Sequence, residues 1–391
     1  MSSITGIAIL GATGSVGRQS LEVIQAYPEH FNVVGLAARR SVDTMADLVD
    51  RHRPHVVVME EDGPAEVLRG RLASDGISVQ AGQAAVQELV QRPDVDLVVA
   101  AVVGRAGLPG VFAALAAGKR VAIANKEPLV MAGELLMAAS ERYHVELLPI
   151  DSEHAALAQL LRGVERESID QLILTASGGP FLDADLSFVR SATPDDALAH
   201  PTWNMGAKIS VDSATMMNKA FEVIEARWLF DLSQERIQVL VHPESRVHAA
   251  VKLLDGSWLA QLGPADMRIP IAQALAHPRI LDLTRRLKDA RSLDLCELGK
   301  LSFRDVDEGR FPALALGRQA LEAGRGRPAA LCVADEVLVQ AFLDGRIGFG
   351  EISEGLDEVM QEFIERDIQD LDDILLAGED GERLAASKVE G

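Results

Sequence analysis

The 391-residue chain is 48% hydrophobic yet carries a net charge of −21, with a pI near 4.8. That apolar content can bury large cores in about two or three domains, while the acidity excludes a general nucleic-acid or anionic-membrane surface and requires any anionic ligand to sit in a locally basic pocket. Cys296 and Cys332 are too few for a disulfide framework, and with no apolar run near the ~18 residues of a membrane span and no export signal, a reducing cytoplasmic location is expected.

From the N-terminus, Ile7-Ala8-Ile9-Leu10 reads as a buried strand entering Gly11-Ala12-Thr13-Gly14-Ser15-Val16-Gly17, and Leu21, Val23 and Ile24 continue as an apolar helix face. Strand, glycine turn and helix is the order that holds a dinucleotide pyrophosphate: glycines let the backbone approach it, and the helix start offers free N–H groups. A structural turn would use the same glycines, but their place at the first strand-helix junction favours the dinucleotide site. The next predicted strand, residues 32–37, is followed by Ala38-Arg39-Arg40-Ser41, where an NAD-binding protein would place a ribose-binding acid. The two arginines suit the 2′-phosphate of NADP, or are ordinary surface charges.

Strands predicted at 56–58, 97–101 and 120–124 alternate with helical segments such as 110–117, which argues for a doubly wound parallel sheet. At its strand ends stand Val103-Gly104-Arg105-Ala106-Gly107 and Asn125-Lys126-Glu127-Pro128, where ligands gather in this architecture. Lys126 lies in sequence between the cofactor region and the next acidic cluster, although a lysine in such a loop is more often merely solvated.

The apolar run 145–150 opens into Ile150-Asp151-Ser152-Glu153-His154. At the mouth of a strand, side chains two apart share a face, so Asp151 and Glu153 would converge. Two carboxylates about 4 Å apart repel by roughly 4 kcal/mol at an effective dielectric near 20, and a hard divalent cation relieves that. An Asp-Ser cap with an acidic first helical turn explains the same residues at no cost, and on this stretch alone it is the preferred reading. Val211-Asp212-Ser213-Ala214-Thr215-Met216-Met217-Asn218-Lys219-Ala220-Phe221-Glu222 tips the balance. Asp212 or Ser213 would cap a helix on which Asn218, Lys219 and Glu222 share neighbouring faces. Glu222 then completes a three-carboxylate oxygen site, and Ser213, Asn218 and Lys219 offer donors to a phosphate; the plainer reading is a surface ion pair.

Between these stretches, the strand predicted at 171–176 ends in Ser177-Gly178-Gly179-Pro180-Phe181, an anion cradle or a tight turn. Residues 191–207 carry His200, Trp203 and Met205 among prolines and polar residues, as a mobile lid or an inert packed loop would. Strands predicted at 237–241, 247–251 and 257–262 look antiparallel and form a second, mixed domain, in which His242 and His248 read as hydrogen-bonded rather than metal-ligating. Beyond Leu275 a polar linker is expected, then helices at 313–323, 329–343 and 351–364, then an acidic tail from 367 that frays.

Together the glycine loop, Asn125-Lys126-Glu127, Ile150 to His154, Ser177 to Phe181, His200-Pro201-Thr202-Trp203-Asn204-Met205-Gly206 and the stretch from Lys208 to Glu222 resemble the 1-deoxy-D-xylulose 5-phosphate reductoisomerase family. The resemblance spans essentially the whole chain, with the motifs in the family's order. It implies an NADPH-binding domain over 1–150, a central catalytic and dimerisation domain over 151–276 with its lid at 191–207, a linker over 277–310 and a C-terminal helical domain over 311–391, assembled as a homodimer. It also implies rearrangement of the ketopentose phosphate and reduction by NADPH to 2-C-methyl-D-erythritol 4-phosphate, in non-mevalonate isoprenoid synthesis.

By the same resemblance, Asp151, Glu153 and Glu222 would hold Mg²⁺ or Mn²⁺, and Ser177, Ser213, Asn218 and Lys219 the substrate phosphate. Lys126, Ser152 and His200 would be further substrate contacts, with Trp203 and Met205 closing the lid. Thr13, Gly14, Ser15, Val16, Asn125, Glu127 and Gly206 fall at cofactor positions. Arg39-Arg40-Ser41 stands where the family often has Gly-Lys-Asn, keeping positive charge, and Pro128 and Asn204 each replace a usual serine. Two rival readings are another NADP-dependent dehydrogenase acting on a small phosphorylated substrate, which gives no reason for three convergent carboxylates, and a nonenzymatic nucleotide-binding scaffold, which predicts no substrate-dependent NADPH oxidation.

Overall fold

Parallel strands alternate with helices from the N-terminus onward, as the apolar runs require. The computed structural model describes residues 4–73, 76–203 and 205–390, and the chain forms two units. The first comprises Met1–Pro128, Leu136–Ala155 and Asp266–Arg291; the second comprises Leu129–Leu135, Ala156–Ala265 and Ser292–Gly391.

In the first unit, β1 (Thr5–Leu10), β2 (Phe31–Ala38), β3 (Val56–Met59), β4 (Ser78–Ala81), β5 (Leu97–Ala100), β6 (Arg120–Ile123) and β7 (Leu147–Pro149) form one sheet in the order β4-β3-β2-β1-β5-β6-β7. All its pairings are parallel. The direction of winding reverses between β1 and β5, which places a cleft at the carboxyl ends of these strands. Only β4 has no counterpart in the sequence reading: it is short, partly exposed and at the sheet edge, so no apolar run marks it. Ile7, Ile9, Leu36, Val57 and Val99 pack with Leu21 and Ile24 of the Ser15–Ala26 helix and with Ile271 and Leu275 of the Arg268–Ala276 helix.

The second unit holds β8 (Ile169–Ala176), β9 (Ile237–Val241), β10 (Val247–Leu253), β11 (Trp258–Leu262) and β12 (Arg304–Asp305), in the order β11-β10-β8-β9-β12. The expected antiparallel pairing holds for β10 against β8 and β11, but β9 runs parallel to β8. The segment joining β8 to β9 includes the Ala207–Thr215 and Met217–Phe230 helices, long enough for the crossover that a parallel neighbour needs.

The Ala313–Ala323, Arg327–Leu343 and Phe349–Glu362 helices lie where the apolar spacing puts them. The tail does not fray: Leu371–Glu390 is a helix, packed against Arg327–Leu343. Its buried side is made of Ile374, Ala377, Gly378, Gly381 and Ala385, small enough for two helix backbones to approach closely. A Cβ at Gly381 would lie 2.4 Å from the Ala330 carbonyl oxygen. Asp372 and Asp373 in the first turn suit the positive end of the helix dipole, and Lys388 near the last turn reaches Glu362 at 2.6 Å.

Candidate active site

At the end of β1, Gly11 has φ +83° and its N–H joins that of Ala12 on the Ala37 carbonyl. A Cβ at Gly17 would meet the Gly11 carbonyl oxygen at 2.4 Å, so the turn closes only with glycine there. The Ser15–Ala26 helix that follows has no side-chain cap and no acid in its first turn. Its N-terminal N–H groups and dipole therefore face whatever ligand the glycine turn admits. One strand over, Arg39 and Arg40 are exposed and Ser41 precedes the Val42–His52 helix without making a capping hydrogen bond. Arg39 spends part of its charge on exposed Glu61, 2.9 Å away.

β6 delivers Asn125, Lys126 and Glu127, all buried, to the same edge of the sheet. Lys126 starts the Glu127–Tyr143 helix, and Pro128 falls in its first turn, where the missing N–H of proline costs nothing. The Lys126 ammonium lies 2.7 Å from Asp151 Oδ2, and His154 Nδ1 lies 3.2 Å from Oδ1. Burial alone would raise the Asp151 carboxyl, but the charge of Lys126 and the hydrogen bond to His154 outweigh it and hold the group well below the usual carboxylate range. Asp151 thus stays ionised though largely out of water.

The expected strand mouth is not what aligns Asp151 and Glu153. β7 ends at Pro149, Asp151 offers its carbonyl to Ala155 N–H, and Ser152–Leu160 is helical. Asp151 is the cap and Glu153 belongs to the first turn, hydrogen-bonded to the Ser152 hydroxyl. The local geometry is thus that of an acidic helix start.

In the second unit, β8 ends at Ala176 and the chain turns through Gly178 and Gly179, with φ of +86° and +67°. A Cβ at Gly179 would stand 2.8 Å from the Ser213 carbonyl oxygen, so this glycine brings the turn against the backbone that carries Ser213. Asp212 and Ser213 do not cap a helix: they lie in the last turns of Ala207–Thr215, and the break falls at Met216, whose φ is +66°. Asn218, Lys219 and Glu222 share the next helix, as expected. Asn218 Nδ2 donates to Glu222 Oε1 at 2.6 Å, and Lys219 Nζ lies 2.5 Å from Glu222 Oε2 and 2.6 Å from the Thr175 carbonyl. Lys219 and Glu222 are 4% and 1% exposed in their side chains, so the surface ion-pair reading fails and the pair is a core feature.

Of the expected lid, Pro194–Leu198 is helical and carries a Thr193-Asp196 capping box; Asn204 lies outside the described residues. His200 organises the next turn. Its Nδ1 accepts from the Thr202 and Trp203 N–H groups at 3.2 and 2.9 Å, and its Nε2 is 2.9 Å from Ser177 Oγ. Two N–H donors on Nδ1 require that atom to be unprotonated, so Nε2 carries the proton and donates it to Ser177. Gly179 N–H donates to the same oxygen at 3.2 Å. The Trp203 ring stands 6.2 Å from that of His248, Met205 is half-buried, and Gly206 precedes the Ala207–Thr215 helix.

His242 is the hydrogen-bonded core histidine expected, bonded to Ser302 and Arg246 and stacked on Phe303. The sequence reading passed over Lys208 and Asp335. The Lys208 ammonium lies 2.6 Å from both Asp212 and fully buried Asp335, fastening the Ala207–Thr215 helix to Arg327–Leu343. An acid within the apolar run 329–343 was the available signal, because a buried carboxylate needs a partner.

The family model for 1-deoxy-D-xylulose 5-phosphate reductoisomerase matches residues 7–133, that of its C-terminal domain residues 147–230, and a DXP reductoisomerase C-terminal domain model residues 262–383. The chain belongs to the 1-deoxy-D-xylulose 5-phosphate reductoisomerase family. The reductoisomerase of Rhodospirillum centenum is 48% identical over 386 residues, covering 99% of this chain and 94% of the relative. That of Anaeromyxobacter dehalogenans is 46% identical over 383 residues, covering 98% and 97%. Among solved structures, the Zymomonas mobilis enzyme in complex with NADPH superposes with a TM-score of 0.92 at 38% identity over 100% of both chains. A reductoisomerase complex with NADPH, fosmidomycin and magnesium gives 0.93 at 38% identity, covering 99% of this chain and 98% of that one.

Burial holds His200 below the ordinary histidine range, near 6.5 in an open chain. The folded state therefore binds fewer protons than the unfolded one, and the stabilisation from neutral His200 is complete above the unfolded value and lost as pH falls through the folded one. Long-range ¹⁵N NMR of the imidazole nitrogens should show an Nε2–H tautomer that titrates below the ordinary value, with the Thr202 and Trp203 amide signals shifting alongside. An Nδ1–H tautomer, or titration above that value, would contradict the hydrogen-bond assignment.

Proposed function

We propose that the protein converts 1-deoxy-D-xylulose 5-phosphate and NADPH to 2-C-methyl-D-erythritol 4-phosphate, with Mg²⁺ or Mn²⁺ at the reacting centre. The observation that carries the reading is the family match, whose three segments lie between residue 7 and residue 383 and so take in both units. A plain NADP-dependent dehydrogenase would leave the buried polar network of the second unit without a use.

The first unit supports NADPH binding. The uncapped start of the Ser15–Ala26 helix and the turn Thr13-Gly14-Ser15-Val16 would take the pyrophosphate, and Arg39, Arg40 and the uncommitted Ser41 hydroxyl the 2′-phosphate. Asn125 lies more than nine-tenths buried with neither amide atom hydrogen-bonded, a group that a bound cofactor can satisfy. Asp151 and Glu153 provide hard anionic oxygens, with Asp151 kept charged by its neighbours; Glu222 is assigned as the third, and this all-oxygen set fits Mg²⁺ or Mn²⁺. When bound, NADPH supplies the hydride and the divalent ion Lewis acidity at the substrate oxygens.

The second unit supports phosphate binding. Ser177 Oγ accepts from His200 and Gly179, so its own proton is left to donate to an anionic oxygen. Ser213, Asn218 and Lys219 are assigned to the same phosphate, and Lys126 and Ser152 to the substrate oxygens near Asp151. The 191–207 stretch, with Trp203 and Met205, would close over the substrate and exclude water. The test incubates the protein with the ketopentose phosphate, NADPH and Mg²⁺ and identifies the product by mass spectrometry and NMR. A merely reduced, unbranched sugar phosphate would refute the reading, and Trp203→Ala should lower turnover while leaving the unfolding midpoint unchanged.

Replacing Arg39 and Arg40 together by alanine should raise KM for NADPH about tenfold or more and leave NADH use nearly unchanged, since only NADPH carries the extra phosphate. Equal losses for the two cofactors would remove these arginines from the 2′-phosphate site.

Glu222→Gln keeps the shape and removes one of three negative charges, lowering metal attraction by a few kcal/mol at an effective dielectric of ~20. Mn²⁺ titration followed by electron paramagnetic resonance should show weakened binding, with NADPH affinity retained; unchanged Mn²⁺ affinity would exclude Glu222 as a ligand.

A homodimer is also proposed, through β11. This strand lies at the edge of its sheet and presents Trp258, 52% exposed, and Leu262, 36% exposed; an open apolar edge of this kind favours pairing with a second copy. Sedimentation equilibrium should give a dimer mass, shifted toward monomer by Trp258→Arg. A monomeric wild type would rule the proposal out. Among the described residues no helix is long and apolar enough to cross a membrane.

A further inference from the structure

Gly107 ends the short 3₁₀ turn Arg105–Gly107 after β5 and directly precedes the Leu108–Ala116 helix. Its φ and ψ are −74° and −24°, ordinary right-handed values that any residue adopts. Neighbouring Gly104, at φ +76°, needs glycine for its backbone; Gly107 does not. Alanine would also be the better helix former at this point. What a side chain would meet is the Asn125 amide. A Cβ at Gly107 would lie 2.5 Å from Asn125 Nδ2, 3.3 Å from Asn125 Cγ and 3.1 Å from the Val102 carbonyl oxygen.

Asn125 enters from the loop after β6, and the adjacent Ala124 N–H is tied to the Ala100 carbonyl at 2.9 Å, so the backbone carrying the amide is fixed. The amide itself is 8% exposed and neither Nδ2 nor Oδ1 has a hydrogen-bond partner. A buried amide with both donor and acceptor unused is a costly arrangement unless a ligand meets it. The complementary ligand group presents one acceptor and one donor side by side, as a primary carboxamide does.

We propose that Gly107 is a positioning residue: by lacking a side chain it keeps the Asn125 amide in the orientation that receives the carboxamide of the nicotinamide ring. The inference rests on the reading of the first unit as the NADPH domain. It makes Gly107 act on cofactor affinity through Asn125 rather than on the fold.

The test is a double-mutant cycle on the full chain, with NADPH and 2′,5′-ADP as probes; the second has the adenosine and 2′-phosphate but no nicotinamide. Wild type should bind both. Gly107→Ala and Asn125→Ala should each weaken NADPH binding about tenfold, the scale of one well-placed hydrogen bond, and leave 2′,5′-ADP binding unchanged. In the Asn125→Ala background, Gly107→Ala should cost far less, since the 2.5 Å clash is gone and only the milder 3.1 Å approach to the Val102 carbonyl is left. An equal loss in both backgrounds, or a parallel loss of 2′,5′-ADP, would overturn the positioning role while leaving the NADPH reading intact. Failure of wild type to bind either probe would overturn that reading and this inference with it. Should Gly107→Ala alone misfold, recovery of the far-ultraviolet circular dichroism spectrum in the double variant supports Asn125 as the group the methyl meets, and lack of recovery overturns it.

Discussion

Each unit buries a carboxylate directly against a lysine of its own, and the cost of keeping such a pair out of water constrains what must surround it. Asp151 has Lys126 at 2.7 Å and Glu222 has Lys219 at 2.5 Å. Taking an ion pair out of water costs several kcal/mol for each ion, and the pair recovers this only with close geometry and further hydrogen bonds. Both pairs have such bonds: His154 on Asp151, Asn218 on Glu222 and the Thr175 carbonyl on Lys219. Removing one partner of such a pair typically costs about 3–5 kcal/mol, a large part of the ~5–15 kcal/mol that holds a domain folded. The residues assigned to catalysis are therefore part of what holds the fold, and Lys208 with Asp335 repeats the device where the Ala207–Thr215 helix meets Arg327–Leu343.

Local chemistry made much of this legible. The glycine turn after β1, the strand-end loop at Asn125 and Lys126 and the shared helical face of Asn218, Lys219 and Glu222 each have a local pattern of residues that marks them, and each stands where the sequence puts it. The failures fall where a distant contact decides. Two acids two apart fit a strand mouth as well as the helix start that the stretch alone favours, and the end of β7 at Pro149 with a helix from Ser152 resolves the choice for the helix start. The acidic tail lacks a strongly apolar stripe, because its seam is made of alanine and glycine; the backbone of Ala330 on another helix gives that seam its meaning. Gly107 is similar, since nothing adjacent in the chain explains it and the amide of Asn125 does.

His200 ties the turn that carries Trp203 to the exit of β8. Its two nitrogens do opposite work: Nδ1 gathers the N–H groups of the turn that carries Trp203, and Nε2–H fixes the Ser177 oxygen. Only the neutral ring can do both, and burial favours the neutral ring. The position of the turn and the direction of the serine proton are thus set together by one protonation state. A glutamine could donate to Ser177 but could not reproduce the rigid separation between the two ring nitrogens.

Backbone breaks complete the arrangement in the second unit. If residues 207–230 formed one uninterrupted helix, Ser213 and Lys219 would project at fixed angles along a single axis. The left-handed residue Met216 ends one helix and starts another, at a cost of about 1–2 kcal/mol for a residue other than glycine. With that freedom, the turn holding Ser213 packs on Gly179 while Lys219 reaches back to Thr175, so both helices meet the exit of β8. The two glycines after Ser177 are the counterpart on the strand side, since their positive φ lets the turn come within contact of the Ser213 backbone. The strain at Met216 is thus tied to a specific gain: the turn of Ser213 rests on the Gly179 backbone and the Lys219 ammonium on the Thr175 carbonyl, while the Asn218 amide is held by Glu222.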